Sequence, residues 1–236
     1  MMKIKHILLC SLFIALMGAS YPFSWLFSHP NKEQFGSHVW LEKEFEILHS
    51  QASNLDEKVL RLGLTAYVKA RKRGYDSKQL LTVIDYSKPS AEKRLWVFDI
   101  KNGRKLLNTW VSHGKNTGDS SGNAKFFSNS NGSLKSSIGV FVTAEPYVGG
   151  HGLSLRMKGL EKGINDHAYD RNIVFHGASY VSGSVIRQVG HVGRSWGCPA
   201  VSTDTIKSLV NIIKDNTVVF AYYPDRNWLN NSSFLV

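Results

Sequence analysis

Two residues able to do covalent chemistry together stand in short, distinctive stretches: Cys198 in GRSWGCPAVS (193–202) and His176 in FHGAS (175–179). A thiol attacks as thiolate, and a histidine within reach can take its proton. His176 closes the apolar run NIVF and is followed by Gly177, which has no side chain to obstruct a neighbour. Arg194, and a helix expected to start after Ser202, are the other features that would lower the thiol pKa. Attack on an amide carbonyl creates an oxyanion, and the Gly197-Cys198 peptide offers backbone N–H groups for it without steric obstruction. Pro199 then fixes the direction of the chain.

Two other uses are open to these residues. His176, His191 and Cys198 could ligate zinc, but neither C-x₂₋₄-C nor H-x₃₋₅-H spacing is present, so no metal and no cofactor is expected. A buried, inert cysteine is the other alternative, since free cysteines are among the most buried side chains. The Arg, Ser and Gly around Cys198 instead read as a loop near water. The second cysteine, Cys10, lies in an N-terminal stretch that reads as an export signal. Lys3 and Lys5 precede an apolar run from Ile7 to Met17, and Gly18, Ala19 and Ser20 follow it. Cleavage would leave Cys198 without a disulfide partner; retention would make residues 1–20 an anchor.

The pair FHGAS and GRSWGCPAVS, in the order His-Gly, spacer, Ser-x-Gly-Cys, resembles the L,D-transpeptidase (YkuD-like) catalytic domain family of bacterial cell-wall enzymes, in the branch reading S-W-G-C-P-A at the cysteine. The resemblance extends over roughly residues 81–223, through SSIGVFVTAE (136–145) and GLSLRMKGLEKGIND (152–166). It implies that Cys198 is the nucleophile and His176 the base. Gly177 would orient the imidazole through its carbonyl, and Gly197 and Cys198 would supply the oxyanion donors. Ser195 would be a hydrogen-bonder of the turn. Trp196 stands where most members have histidine, and Pro199-Ala200 where they have Ile-Arg. Arg194 is therefore assigned to a substrate carboxylate. Ser195, Trp196, His191 and His113 complete the expected substrate-binding set, although as loop and turn residues His191 and His113 also have a plainer reading.

The implied reaction is acyl transfer on peptidoglycan stem peptides, with D-alanine released and a thioester formed. An amine on another stem, or on an envelope protein, would then resolve it; with water the enzyme would be an L,D-carboxypeptidase. A non-catalytic wall-binding domain of the same fold is the alternative of a different kind. Exported action in the periplasm or cell envelope follows, peripheral to or anchored in the membrane. A net charge of +11 favours anionic partners. With export and no zinc-finger or RNP-like motif, nucleic acid is not expected among them.

These residues need a scaffold, and 236 residues with 42% hydrophobic content can bury one core of ordinary size. A helix is expected over residues 39–49, and a stronger one from Leu55 to Arg73, capped by Asn54 with Glu57 three residues on. After Leu80 the texture becomes short, β-branched, aromatic-rich strands at 81–87, 94–100, 105–114, 137–145, 153–160, 172–177 and 217–223, with Asn102-Gly103 as a hairpin turn. Residues 116–136 read as a long loop, either mobile or lining a site. One helix, Thr203 to Asp215, interrupts the strands. The fold expected is mainly β, a mixed sandwich or barrel-like sheet with a docked helix and an N-terminal helical segment. Its divisions are 1–20 signal or anchor, 21–80 linker and helical segment, 81–225 catalytic domain and 226–236 tail.

Overall fold

A computed structural model describes residues 34–236. The export-signal reading and Cys10 lie outside the described residues. Two helices come first, α1 (His38–His49) and α2 (Glu57–Lys72). The strands follow as β1 (Leu80–Asp85), β2 (Leu95–Asp99), β3 (Arg104–Thr109), β4 (Gly139–Gly149), β5 (Gly152–Gly159) and β6 (Val174–Gly177). Then come α3 (Gly183–Val189), β7 (Ala200–Val201), α4 (Thr203–Ile213), β8 (Val218–Tyr222) and α5 (Arg226–Asn231).

The strands form one mixed eight-stranded sheet in the order β3-β2-β1-β8-β4-β5-β6-β7. β1 with β8 and β6 with β7 are the parallel pairs; the remaining pairs are antiparallel. β1, β2 and β8 are buried along their whole length and mostly apolar on both faces, with Thr82, Asp85 and Asp99 as the buried polar exceptions. The two edges are joined by the segment after β3: Ser112 N–H donates to Ala200 O at 2.8 Å, and Gly114 bridges to Ser195. This nearly closes the sheet into a barrel and covers edges that would otherwise stay unpaired.

α2 packs its apolar face, including Leu60, Leu64 and Tyr67, into the same core as Val83 and Phe220 of the sheet. Its cap is Asp56, whose carboxylate accepts from Val59 N–H at 3.1 Å, and not Asn54. The Asn54 side chain is taken instead by the Trp96 indole N–H, at 3.3 Å. The Asn102-Gly103 turn does join β2 to β3, with Gly103 at φ +58°. α3 is a second helix among the later strands, capped by Ser182 and ended by Gly190 in the left-handed region. At the C-terminus, residues 226–236 contain α5 and bury Trp228 and Phe234, and the Trp228 indole donates to the buried Glu161 carboxylate at 3.0 and 3.1 Å.

Candidate active site

β6 and β7 position the two reactive side chains. His176 on β6 faces Ala200 on β7 across a parallel pairing, and Cys198 lies two residues before Ala200 in the tight turn entering β7. Both residues line one cavity of about 460 Å³. The His176 Nδ1 lies 3.1 Å from Gly177 O. A carbonyl only accepts, so Nδ1 carries the proton and Nε2 keeps its lone pair. Gly177 is required for packing as well, because a Cβ there would lie 2.9 Å from Ile206 of α4.

The thiol is half-buried and donates to Asn172 O at 3.5 Å; no hydrogen bond joins it to the imidazole. Burial pushes the Cys198 thiol above its ordinary value, against a smaller opposing effect of the Val174 backbone and of the Arg171 charge. Burial also holds His176 below the usual histidine value. Both shifts favour the neutral forms, so the resting pair is thiol and imidazole. The expected acidification of Cys198 is thus overturned: α4 starts only at Thr203, past β7, and desolvation outweighs the nearby cation.

The turn is tightly built. Ser195 Oγ donates to Cys198 O at 2.6 Å and accepts from Gly197 N–H at 3.1 Å. Gly197 has φ +129°, and a Cβ there would meet Lys135 O at 2.8 Å. With the Gly197 N–H committed to Ser195, the Cys198 N–H is the member of that expected donor pair without a hydrogen-bond partner. Ser136 Oγ donates to Gly197 O at 2.9 Å and accepts from Gly114 N–H at 3.0 Å, tying the turn to residues 116–136. That long segment is bonded into the fold behind the thiol and does not line the cavity.

Of the expected substrate-binding residues, Arg194, Ser195 and Trp196 line the cavity, and Trp196 is 79% exposed at its rim. The Arg194 guanidinium donates to Asp119 O, while its buried Nε has no partner. His113 and His191 do not line it. His113 is buried, its Nδ1 2.7 Å from the Arg94 guanidinium, and burial with that neighbouring cation lowers its pKa to about 3. His191 is held by its own Nδ1, 2.7 Å from Val192 O, and packs on Gly122. Its distance in sequence from Cys198 gave no sign of this.

Three cavity residues carried no sequence signal of a role. Arg171 donates to Ser128 O at 2.5 Å, Ser137 Oγ at 2.6 Å, Lys135 O at 2.7 Å and Ser133 Oγ at 3.1 Å, clamping the long segment beside the thiol. Tyr180 packs against Gly193, and burial raises its pKa to about 12, so it stays a neutral phenol. His151, on the turn between β4 and β5, stacks on His176. Among the described residues, no group of three His, Cys, Asp or Glu side chains is placed to hold a metal ion. No helix among them is long and apolar enough to cross a membrane.

The sequence matches the L,D-transpeptidase catalytic domain family over residues 51–222. No curated protein matches it at a significant level. Among solved structures, it is similar to an L,D-transpeptidase from Mycobacterium smegmatis, with 14% identity, TM-score 0.37, and 61% of this chain and 59% of that one covered. An L,D-transpeptidase from Mycobacterium tuberculosis H37Rv gives 12% identity and TM-score 0.36, covering 61% of this chain and 58% of that one. One from Stackebrandtia nassauensis gives 11% identity and TM-score 0.37, covering 77% of each chain. The chain thus spans under two thirds of the length of the mycobacterial structures it resembles.

Proposed function

The chain belongs to the L,D-transpeptidase catalytic domain family, and on that premise we propose that it is a peptidoglycan L,D-transpeptidase with Cys198 as nucleophile and His176 as base. The observation that carries this reading is the shared cavity of thiol and imidazole, with Nδ1 spent on Gly177 O and Nε2 available for a proton.

Because both groups rest neutral, the thiol proton passes to Nε2 as sulfur approaches the substrate, in general-base fashion, with no standing ion pair. The S–H first turns away from Asn172 O. Sulfur bonds to the carbonyl carbon of the third stem residue, and its oxygen takes up negative charge near the Cys198 N–H. Collapse of this intermediate breaks the C–N bond. D-alanine leaves with the proton held by His176, and a thioester remains on Cys198. An acceptor amine on a second stem or an envelope protein then attacks the thioester, gives its proton to His176, and releases the thiol. With water in that place the product is a shortened stem, and defined muropeptides analysed by mass separate the two outcomes.

Arg194 lines the cavity and is the cation we assign to the substrate carboxylate, and the exposed Trp196 ring is a contact surface for the stem. Action in the bacterial envelope, after export, agrees with the family's cell-wall substrates. The test is treatment of the protein with a carbapenem followed by intact mass. Wild type gains one adduct and Cys198→Ala gains none; well-folded wild type without an adduct refutes the assignment.

A further inference from the structure

The turn between β4 and β5 carries His151 among Gly149, Gly150 and Gly152. Its side chain is exposed, yet its ring lies on the buried imidazole of His176, centroids 4.4 Å apart and planes 24° from parallel. We propose that His151 is a positioning residue for the proton transfer, holding the His176 ring by its face while Gly177 O holds it at Nδ1. This rests on the reading of His176 as the base.

A ring anchored at one nitrogen can still pivot about that bond, and a stacked neighbour removes the motion. Aromatic pairs in this range contribute about 0.5–1.5 kcal/mol beyond their burial, enough to bias an orientation. The other neighbours of His176 supply no such contact. β5 sets Ser154 beside it and β7 sets Ala200, while α4 brings Thr203 and Ile206 against Gly177. None of these ionises in the working range.

The other ionisable groups lining the cavity are Tyr147, Arg171, Tyr180, Arg194 and Cys198. Of these ionisable neighbours, His151 is the one in ring contact with the base. It has two effects of the same sign. Its ring keeps water off one face of His176, and its own positive charge, when present, opposes a second one next to it; both keep the base unprotonated. The glycines around it let the backbone reach this position, with Gly152 at φ +72°.

The test is the pH profile of Cys198 alkylation by iodoacetamide and of carbapenem acylation in wild type, His151→Ala, His151→Phe and His176→Ala. Since His151 is exposed, His151→Ala should keep the wild-type melting temperature. Its rate at neutral pH should fall by roughly tenfold to a hundredfold, the scale for a misplaced reacting group. Its acid limb should move to higher pH, because the bared imidazole protonates more easily. His151→Phe restores the stacked cover and should recover most of the rate. Wild-type rate and limb in His151→Ala, or no recovery in His151→Phe, overturns the assignment. If His176→Ala loses its reactivity while His151→Ala keeps its own, only the role of His151 fails; if His176→Ala reacts like wild type, the base assignment fails and this inference with it.

Discussion

The Nδ1 of His176 is tied to the carbonyl of the next residue, Gly177, at 3.1 Å, which leaves the opposite nitrogen as the ring's free acceptor in a residue that shares its cavity with Cys198. The thiol is pushed up and the imidazole down by the same desolvation, so protonation of the base and ionisation of the thiol are separated on the pH scale. Iodoacetamide alkylation of wild type should therefore rise in two steps. The first comes as His176 loses its proton, below the usual histidine value. The second comes as the thiol ionises, above the usual cysteine value. His176→Ala should lose the first step and keep the second; a single step near the ordinary thiol value in wild type would contradict the geometry.

His113 gives a prediction on stability. In the folded chain its pKa is lowered to about 3 by burial and by Arg94, against an ordinary value of 6.5. Above that ordinary value neither folded nor unfolded chain protonates it, and its contribution is constant. As pH falls from 6.5 towards 3 the unfolded chain takes up a proton that the folded one refuses, so stability drops by up to about 1.4 kcal/mol per pH unit. His113→Gln keeps an acceptor for Arg94 and removes the titration. Guanidinium unfolding at neutral pH and near pH 5 should show a smaller acid loss in the variant than in wild type.

Gly197→Ala should be costly although the residue has no side chain of its own to react. Its φ of +129° lies outside the range of L side chains, and the new methyl would press on Lys135 O at 2.8 Å and on Ile173 at 3.0 Å. Strain of this kind costs on the order of 1–3 kcal/mol. A lowered melting temperature should accompany a loss of carbapenem acylation larger than that loss of stability explains, because the turn that carries the thiol must move.

Arg171→Lys should fail to replace the arginine. Four acceptors, two carbonyls and two hydroxyls, are met by two nitrogens of one planar group, a geometry an ammonium cannot reproduce. Hydrogen exchange across residues 128–137 should quicken in the lysine variant. In Arg171→Gln the thiol step of the alkylation profile should move still higher, since a cation that lowers the Cys198 pKa is gone.

Trp196→Ala should separate binding from folding. A side chain 79% exposed supports little of the core, so the unfolding free energy should stay within the scatter of surface substitutions, about ±0.5 kcal/mol. The expected loss is in KM for a stem-peptide substrate with kcat little changed, and an unaltered KM would remove Trp196 from the substrate surface.

The sheet was legible because its strands are dense in β-branched and aromatic residues, and Asn102-Gly103 marks its turn. β7 was not, since two residues carry no period, and α3 was hidden by Gly183 and Ser184 at its start. Asn54 and Asp56 are alike in type as caps, and only the Trp96 indole, which takes the Asn54 side chain, leaves the role to Asp56. Cys198 and His176 could be paired by type and order, and the chain brings them to one cavity. The histidines are separated by burial, which no local pattern carries. Nothing local distinguishes His113, enclosed behind the cysteine turn, from His151, which looks like a turn residue and lies on the base. Arg171 gave no sign either, because its acceptors are backbone carbonyls and serines some 34 to 43 positions away.

The seam that joins the two sheet edges also sets when the thiol can work. Ser112 reaches Ala200, His113 O accepts from Ser195 N–H, and Ser136 holds Gly197, so the cysteine turn takes its shape from partners 61 to 88 residues earlier in the chain. Contacts of such span are slow to form, because loop-closure entropy opposes them before the contact rewards it. The sulfur therefore takes its working geometry only once segments far apart in the chain have met.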